Sequence, residues 1–156
     1  MGGIAAGYDW KINRLTVGPV ASFQYMNAQL NDFTERGAFA PLSIAAQNAE
    51  SLRSAFGAHA TYDVKAGRAV LRQELRAAWQ HEFSDTGYSL TSSFATLGGS
   101  AFIVAGPETG RDSLLVGAGF SILWNERFWT SFFYDGELLR TNYISNNVSV
   151  GFRYRF

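Results

Sequence analysis

The chain has 156 residues, of which 47% are hydrophobic and 17% are charged, and its 13 basic side chains balance its 13 acidic ones. Zero formal charge disfavours a basic nucleic-acid-binding surface, and the absence of cysteine excludes disulfides and thiolate metal sites. The first residues lack a cationic leader with an apolar core, and no apolar run reaches the roughly 20 residues of a spanning helix. Neither a signal peptide nor a transmembrane helix is expected, and the length predicts one domain, 1–156.

Apolar side chains at every second position predict strands along most of the chain. The alternation is clearest over 15–25, 71–83, 113–124 and 147–156. The predicted strands are 3–12, 15–26, 38–47, 50–64, 68–83, 87–97, 112–124, 127–138 and 142–156.

The length of these runs separates two fold classes. Strands of soluble proteins usually have about 5–6 residues, whereas a tilted membrane strand needs about 9–11. Long strands with one apolar and one polar face indicate an all-β, antiparallel transmembrane β-barrel. The alternative is a soluble β-sandwich or lipocalin-like barrel, whose strands also alternate.

The connections predict an orientation. Tight turns are expected at 11–14, 47–50, 84–87 and 125–126, and the intervening connections include two long ones, 26–37 and 97–111. The connections at 64–68 and 137–142 are expected on the same side as the long loops. Outer-membrane barrels have short periplasmic turns and longer outside loops, so the carboxyl terminus is expected in the periplasm.

Aromatic residues at strand ends predict a single belt at the periplasmic membrane interface, where rings combine an apolar body with a polar edge. The belt is expected to contain Tyr8, Trp10, Trp79, Phe83, Tyr88, Trp124, Phe128, Tyr154 and Phe156. Nine strands is an odd number, while single-chain bacterial barrels have an even one. We therefore expect either the carboxyl-terminal part of a longer barrel or a count that is off by one.

Short motifs recur in order along the chain, at 7–10, 15–19, 33–38, 51–57, 79–83, 111–113, 117–119, 134–136 and 151–156. The ordered set resembles the carboxyl-terminal translocator barrel of type V secretion autotransporters. The resemblance implies a 12-stranded barrel of which this chain holds the last nine strands, with the early strands, a plug helix and a passenger upstream. It implies an outer-membrane anchor that supports passenger export, with no cofactor.

The resemblance also implies partners. These are outer-membrane lipid, the passenger of the same precursor and the barrel-assembly machinery, which would read Phe152, Tyr154 and Phe156 as an assembly signal. A terminal strand that pairs with a sheet edge while alternate side chains give specificity fits that role, although these rings could simply face lipid. Exposed strand edges also suggest self-association as a hypothesis.

The polar sides of the strands predict a charged lumen, because a wet interior tolerates charges that lipid does not. The side chains expected to face it are Arg53, Arg72, Glu74, Arg76, Gln80, Glu82, Arg153 and Arg155. They could contact a plug helix or a threading passenger, or they could be paired charges that pack the lumen.

Catalysis is not expected from this sequence. The only histidines are His59, expected in the lumen, and His81, expected on the lipid side, so a shared metal or base role is not predicted. No nucleophile elbow supports a serine triad. The alternatives kept open are a small structural or adhesive barrel, complete at eight to ten strands, and a barrel hydrolase.

Overall fold

The computed structural model describes residues 1–37, 41–87, 89–95, 100–125 and 127–156. Among them, no helix is long and apolar enough to cross a membrane. The described strands are β1 (Gly2–Gly7), β2 (Trp10–Ile12), β3 (Leu15–Leu30), β4 (Phe33–Thr34), β5 (Leu42–Ile44), β6 (Gln47–Ala66), β7 (Ala69–Glu82), β8 (Ser89–Phe94), β9 (Phe102–Ala105), β10 (Asp112–Leu123), β11 (Phe128–Arg140) and β12 (Tyr143–Tyr154).

The long strands form one antiparallel main sheet in the order β1-β3-β6-β7-β10-β11-β12, with β2 also paired to β3. β1 and β2 are two segments of one interrupted strand, since Gly7 pairs with Val20 and Trp10 pairs with Val17. In the described chain β1 and β12 are the two edges of this sheet, and no pairing joins them. The prediction of an all-β, antiparallel fold is confirmed.

The main sheet has an apolar face and a polar face, because side chains alternate along every strand. Large apolar side chains on the apolar face are exposed, and Leu75 in the middle of β7 is 61% exposed. Others on this face are Ile4, Phe23, Phe56, Phe120, Phe132, Val148, Val150 and Phe152.

The buried side chains of the main sheet are polar. Glu82, Ser113 and Ser131 are buried on the polar face, whereas no hydrophobic side chain within the described ranges is fully buried. A sheet that buries polar groups and exposes apolar ones reverses the distribution found in water-soluble domains.

A second, smaller sheet has the order β4-β5-β8-β9 and is called the loop sheet here. Its strands have two to six residues and belong to the two long connections, 31–46 and 83–111. Two of the nine predicted barrel strands were wrong, because the described parts of 38–47 and 87–97 include β5 and β8 of this sheet. Residues 38–40, 88, 96 and 97 of those segments lie outside the described residues.

The predicted turn at 47–50 was also wrong. β6 runs without a break through these polar residues, because Asn27 on β3 pairs with them across the sheet. The Asn27 Nδ2 donates to Asn48 Oδ1 at 3.0 Å and to Glu50 Oε1 at 3.2 Å. Hydrogen bonds between polar side chains thus continue the strand beyond its apolar part.

The corrected strand path defines two ends of the main sheet. The turn end contains the short connections 13–14, 67–68 and 124–127, and the loop end contains 31–46, 83–111 and 141–142. The connection at 64–68 was predicted on the long-loop side but lies at the turn end. The segments 47–50 and 84–87 were predicted as turns opposite the long loops, and they lie at the loop end, where 84–87 leaves the main sheet.

Candidate functional site: the polar face and the two ends of the main sheet

Strand register places the side chains predicted for the lumen on the polar face, except that of Arg155, which lies beyond the paired residues of β12. Even-numbered residues of β7 from Arg72 to Glu82 share this face, and Arg53 on β6 is the cross-strand partner of Glu82. Arg153 on β12 pairs with Trp129 and has its guanidinium carbon 5.6 Å from the centre of the indole. Arg155 follows the end of β12.

A row of charged side chains crosses the middle of the polar face. Its backbone register runs from Gly18 through His59, Arg76 and Gly117 to Asp135. We call the side chains of Asp9, His59, Arg76 and Asp135 the central charged row. The His59 Nε2 lies 3.1 Å from Asp9 Oδ1, and the Arg76 guanidinium forms an ion pair with Asp135.

Two glycines make room for the central charged row. A Cβ on Gly117 would lie 2.3 Å from the Arg76 Nε, so the missing side chain lets Arg76 cross β10 to reach Asp135. A Cβ on Gly18 would lie 1.8 Å from the carbonyl oxygen of Tyr8. The interruption between β1 and β2 therefore packs directly on Gly18, beside the Asp9 that contacts His59.

An ion pair with a buried carboxylate lies on the polar face at the loop end. Glu82 is 4% exposed, and its carboxylate accepts hydrogen bonds from Ser51 Oγ at 2.6 Å and Arg53 Nε at 2.7 Å. It also accepts from the backbone N–H groups of Leu52 at 2.8 Å and Ser84 at 3.2 Å. Four donors to one carboxylate hold β6, β7 and the start of the second long connection together.

The corresponding pair near the turn end is more exposed. Arg72 donates to both carboxylate oxygens of Asp63, at 2.7 Å and 2.8 Å, and its side chain is 56% exposed. Exposed pairs of this kind contribute little to stability because water screens them. The two ends of the polar face thus carry pairs of different strength.

The structure splits the predicted aromatic belt between the two ends. Trp124, Phe128, Tyr154 and Phe156 lie at the turn end, and Trp10 is in β2, which ends there. Tyr8 lies in the break before β2, in edge-to-face contact with Trp10 at 5.3 Å. Tyr88 lies outside the described residues.

Trp79 and Phe83 instead lie at the loop end, so the prediction of one belt was wrong for them. They were assigned by the predicted turn at 84–87, and that segment leads into the long connection. Asp112 accepts from Trp79 Nε1 at 3.1 Å and lies 2.8 Å from His81 Nδ1. The loop end therefore has its own polar–aromatic cluster on the apolar face.

A model of the autotransporter β-domain family matches residues 1–135. The chain belongs to the autotransporter β-domain family. Two curated relatives, both extracellular serine proteases of Serratia marcescens, are each 25% identical over 153 residues, which is 98% of this chain. The chain spans 14% of the length of these relatives.

Family membership identifies the main sheet as wall of a bacterial outer-membrane β-barrel and the chain as a translocator domain. The predicted resemblance is confirmed. The protease name belongs to the relatives, whose match to this chain covers only a small part of their length.

The histidines of this autotransporter β-domain lie on opposite faces. His59 is on the polar face beside Asp9, and His81 is on the apolar face beside Asp112. Within the described ranges, no group of three or more histidine and acidic side chains is placed to hold a metal ion.

The acidic partners of the arginines on the polar face were not predicted. Asp63, Asp135 and Glu137 were not expected to pair with arginines, although they pair with Arg72, Arg76 and Arg140. Their alternation in the sequence gives the correct face, but the pairing requires the register between strands. Asp135, for example, lies 59 residues from Arg76.

Proposed function

We propose that residues 1–156 act as one barrel domain that anchors a passenger of the same precursor in the outer membrane and supports its export, without bond chemistry of its own. The observation that carries this proposal is the contrast between the two faces of the main sheet. An apolar face with exposed Leu75, Phe56 and Phe152 suits hydrocarbon, and a polar face with ion pairs suits a wet bore.

The same proposal assigns a role to the charged polar face. The predicted lumen residues and the central charged row would line the bore, where a plug helix or a threading passenger passes. Ion pairs such as Arg76–Asp135 neutralise charge locally, so that the bore is polar without a strong single-sign field.

The orientation follows from the lengths of the connections. At the turn end the three connections have at most four residues, whereas two connections at the loop end are long enough to form the loop sheet. Since outer-membrane barrels have short periplasmic turns, we place the turn end and Phe156 in the periplasm.

The unpaired edge and the exposed rings of β12 support the proposal that Phe152, Tyr154 and Phe156 act as an assembly signal. β12 pairs with β11 along one side, and its other side is unpaired in the described chain. Phe152 is 74% exposed on the apolar face, and Tyr154 and Phe156 are in edge-to-face contact at 5.3 Å. A free edge with protruding side chains is suited to β-augmentation by the barrel-assembly machinery.

The free edges of β1 and β12 also suggest that other strands pair with this sheet. Unpaired strand edges recruit other strands, so both edges would pair with strands of the same precursor or of another copy. Outer-membrane lipid would cover the apolar face between them.

Replacement of Phe156 by alanine tests the assembly signal. We expect less of the variant to reach the heat-modifiable, membrane-inserted form. A matched control is Phe56→Ala, which also removes an exposed ring from the apolar face but lies within the sheet on β6. Equal insertion of both variants would mean that Phe156 only faces lipid.

Passenger display tests the export role. In the full precursor, protease added to intact cells should reach the passenger when residues 1–156 are present and should not reach it when they are removed. Surface-accessible passenger without this segment would contradict the proposal.

A further inference from the structure

Cationic side chains concentrate at the turn end of the main sheet, although the whole chain has no net charge. Among the described residues, the acid nearest this end is Asp63, which pairs with Arg72. Glu126 of the β10–β11 connection lies outside the described residues. The cations at this end are Lys11, Arg14, Lys65, Arg68, Arg127, Arg153 and Arg155, which include both lysines of the chain. The turn end is therefore an electropositive rim.

Two of these arginines share a cavity between neighbouring turns. Arg68 from the β6–β7 turn and Arg127 from the β10–β11 turn line it together with Asn125 and Tyr154, and its volume is about 700 Å³. We call it the rim cavity. Tyr154 belongs to the apolar face, so the rim cavity borders the surface that contacts lipid.

The backbone around the rim cavity is held in place. The Asn125 Oδ1 accepts from the backbone N–H of Arg127 at 2.9 Å and of Phe128 at 2.8 Å. The Arg155 N–H donates to the Arg127 carbonyl at 2.8 Å, which attaches the segment after β12 to this turn. Arg127 thus projects from a turn that is fixed on both sides.

The two guanidinium groups of the rim cavity have no carboxylate within ion-pair distance among the described residues. A guanidinium carries five N–H donors in a planar fork that matches phosphate oxygens. Two such groups that line one cavity match the oxygens of a phosphate, and the border of the apolar face is where a phosphate at the membrane surface would lie.

We propose that the rim cavity binds the phosphate of an anionic phospholipid headgroup in the leaflet at the turn end. The inference rests on the membrane placement of the apolar face and not on passenger export. Charge complementarity selects the occupant, because cationic side chains outnumber acidic ones at the rim and the cavity lies beside the lipid-facing side chains. The acyl chains would then lie along the apolar face beside Tyr154.

Native mass spectrometry of the full folded chain in an uncharged detergent, titrated with phosphatidylglycerol, tests this site. We expect the double variant Arg68→Gln/Arg127→Gln to bind the lipid about tenfold more weakly than the wild type. The matched control Arg14→Gln/Lys65→Gln removes the same charge from the same rim but lies outside the cavity, and its affinity should stay within about twofold. Inorganic phosphate at the same concentration should not displace the lipid.

Three results would overturn the proposal. Equal weakening in both double variants would indicate a diffuse basic rim without a site, and full displacement by inorganic phosphate would indicate a free-anion site. Arg68→Lys/Arg127→Lys keeps the charge and the exposed turn positions but loses the fork, so intermediate binding is expected and unchanged binding would also contradict the site. Passenger display by the glutamine variants separates the two proposals, since lost lipid binding with normal display leaves export intact.

Discussion

The two faces of the main sheet are made by the same strands, yet one exposes its apolar side chains and the other buries polar ones. On the apolar face, Leu75 and its neighbours are exposed with no polar partner, whereas on the polar face Glu82 is buried under four hydrogen-bond donors. In a water-soluble sheet the apolar face would be the covered one. This difference is the one expected of a barrel wall that has lipid on one side and water on the other.

The largest effect is expected from a charge on the apolar face. Leu75→Arg places a guanidinium in the middle of β7, where we expect a loss of about 2–4 kcal/mol in the free energy of unfolding, because lipid does not solvate the charge. Urea titration of the protein folded into lipid bilayers measures this loss.

Thr61→Arg is the matched control for that variant. Thr61 lies on the polar face one row away and is the cross-strand partner of Glu74, so an arginine there meets a carboxylate and water. Its stability should change by less than about 1 kcal/mol. If the two variants lose equal stability, the two faces do not have different surroundings.

The next prediction compares the stability lost when an ion pair is broken at each end of the polar face. Glu82→Gln removes the buried negative charge that pairs with Arg53. We expect a loss of about 2–3 kcal/mol in the free energy of unfolding. Asp63→Asn breaks the exposed pair with Arg72 and should cost less than about 1 kcal/mol. Unfolding midpoints of the two variants give the comparison, and a larger loss for Asp63→Asn would reverse the assignment of the strong and weak ends.

A smaller effect is expected from the glycine beneath the interrupted strand. Gly18→Ala would bring a methyl group against the Tyr8 carbonyl and displace the β1–β2 break, at a cost of about 1–2 kcal/mol. Gly2→Ala is the control, because a Cβ there meets no atom within 4 Å. Similar unfolding midpoints for the two variants would show that the close approach at Gly18 is unimportant.

The sequence alone was sufficient for the face assignment, because alternation depends only on neighbouring positions. The parity of β7 placed Arg72 and Arg76 on one side and Leu75 on the other, as the structure has them. The same reasoning failed at 47–50, where polar residues were taken for a turn. Those residues continue β6 because Asn27 bonds to them from β3, a contact between positions about twenty residues apart.

The partners of the charged residues could not be predicted for a related reason. The pairing of Arg76 with Asp135 depends on the register of three strands and on the missing side chain of Gly117. The rim cavity likewise combines two turns that are distant in sequence, those of Arg68 and Arg127. The fold class could therefore be predicted from local patterning, whereas the contacts of the site depend on the register between distant strands.

The most direct test of the two-faced sheet is a cysteine scan of β7 in lipid bilayers, which has no background because the natural chain contains no cysteine. Nitroxide labels placed one at a time from residue 70 to residue 80 report their collision rates with oxygen, which concentrates in lipid, and with a water-soluble nickel complex. We predict high oxygen and low nickel accessibility at positions 71, 75, 77 and 79, and the opposite at 72, 74, 76 and 78. Uniform accessibility, or alternation with the reversed phase, would contradict a sheet whose leucine side meets hydrocarbon and whose arginine side meets water.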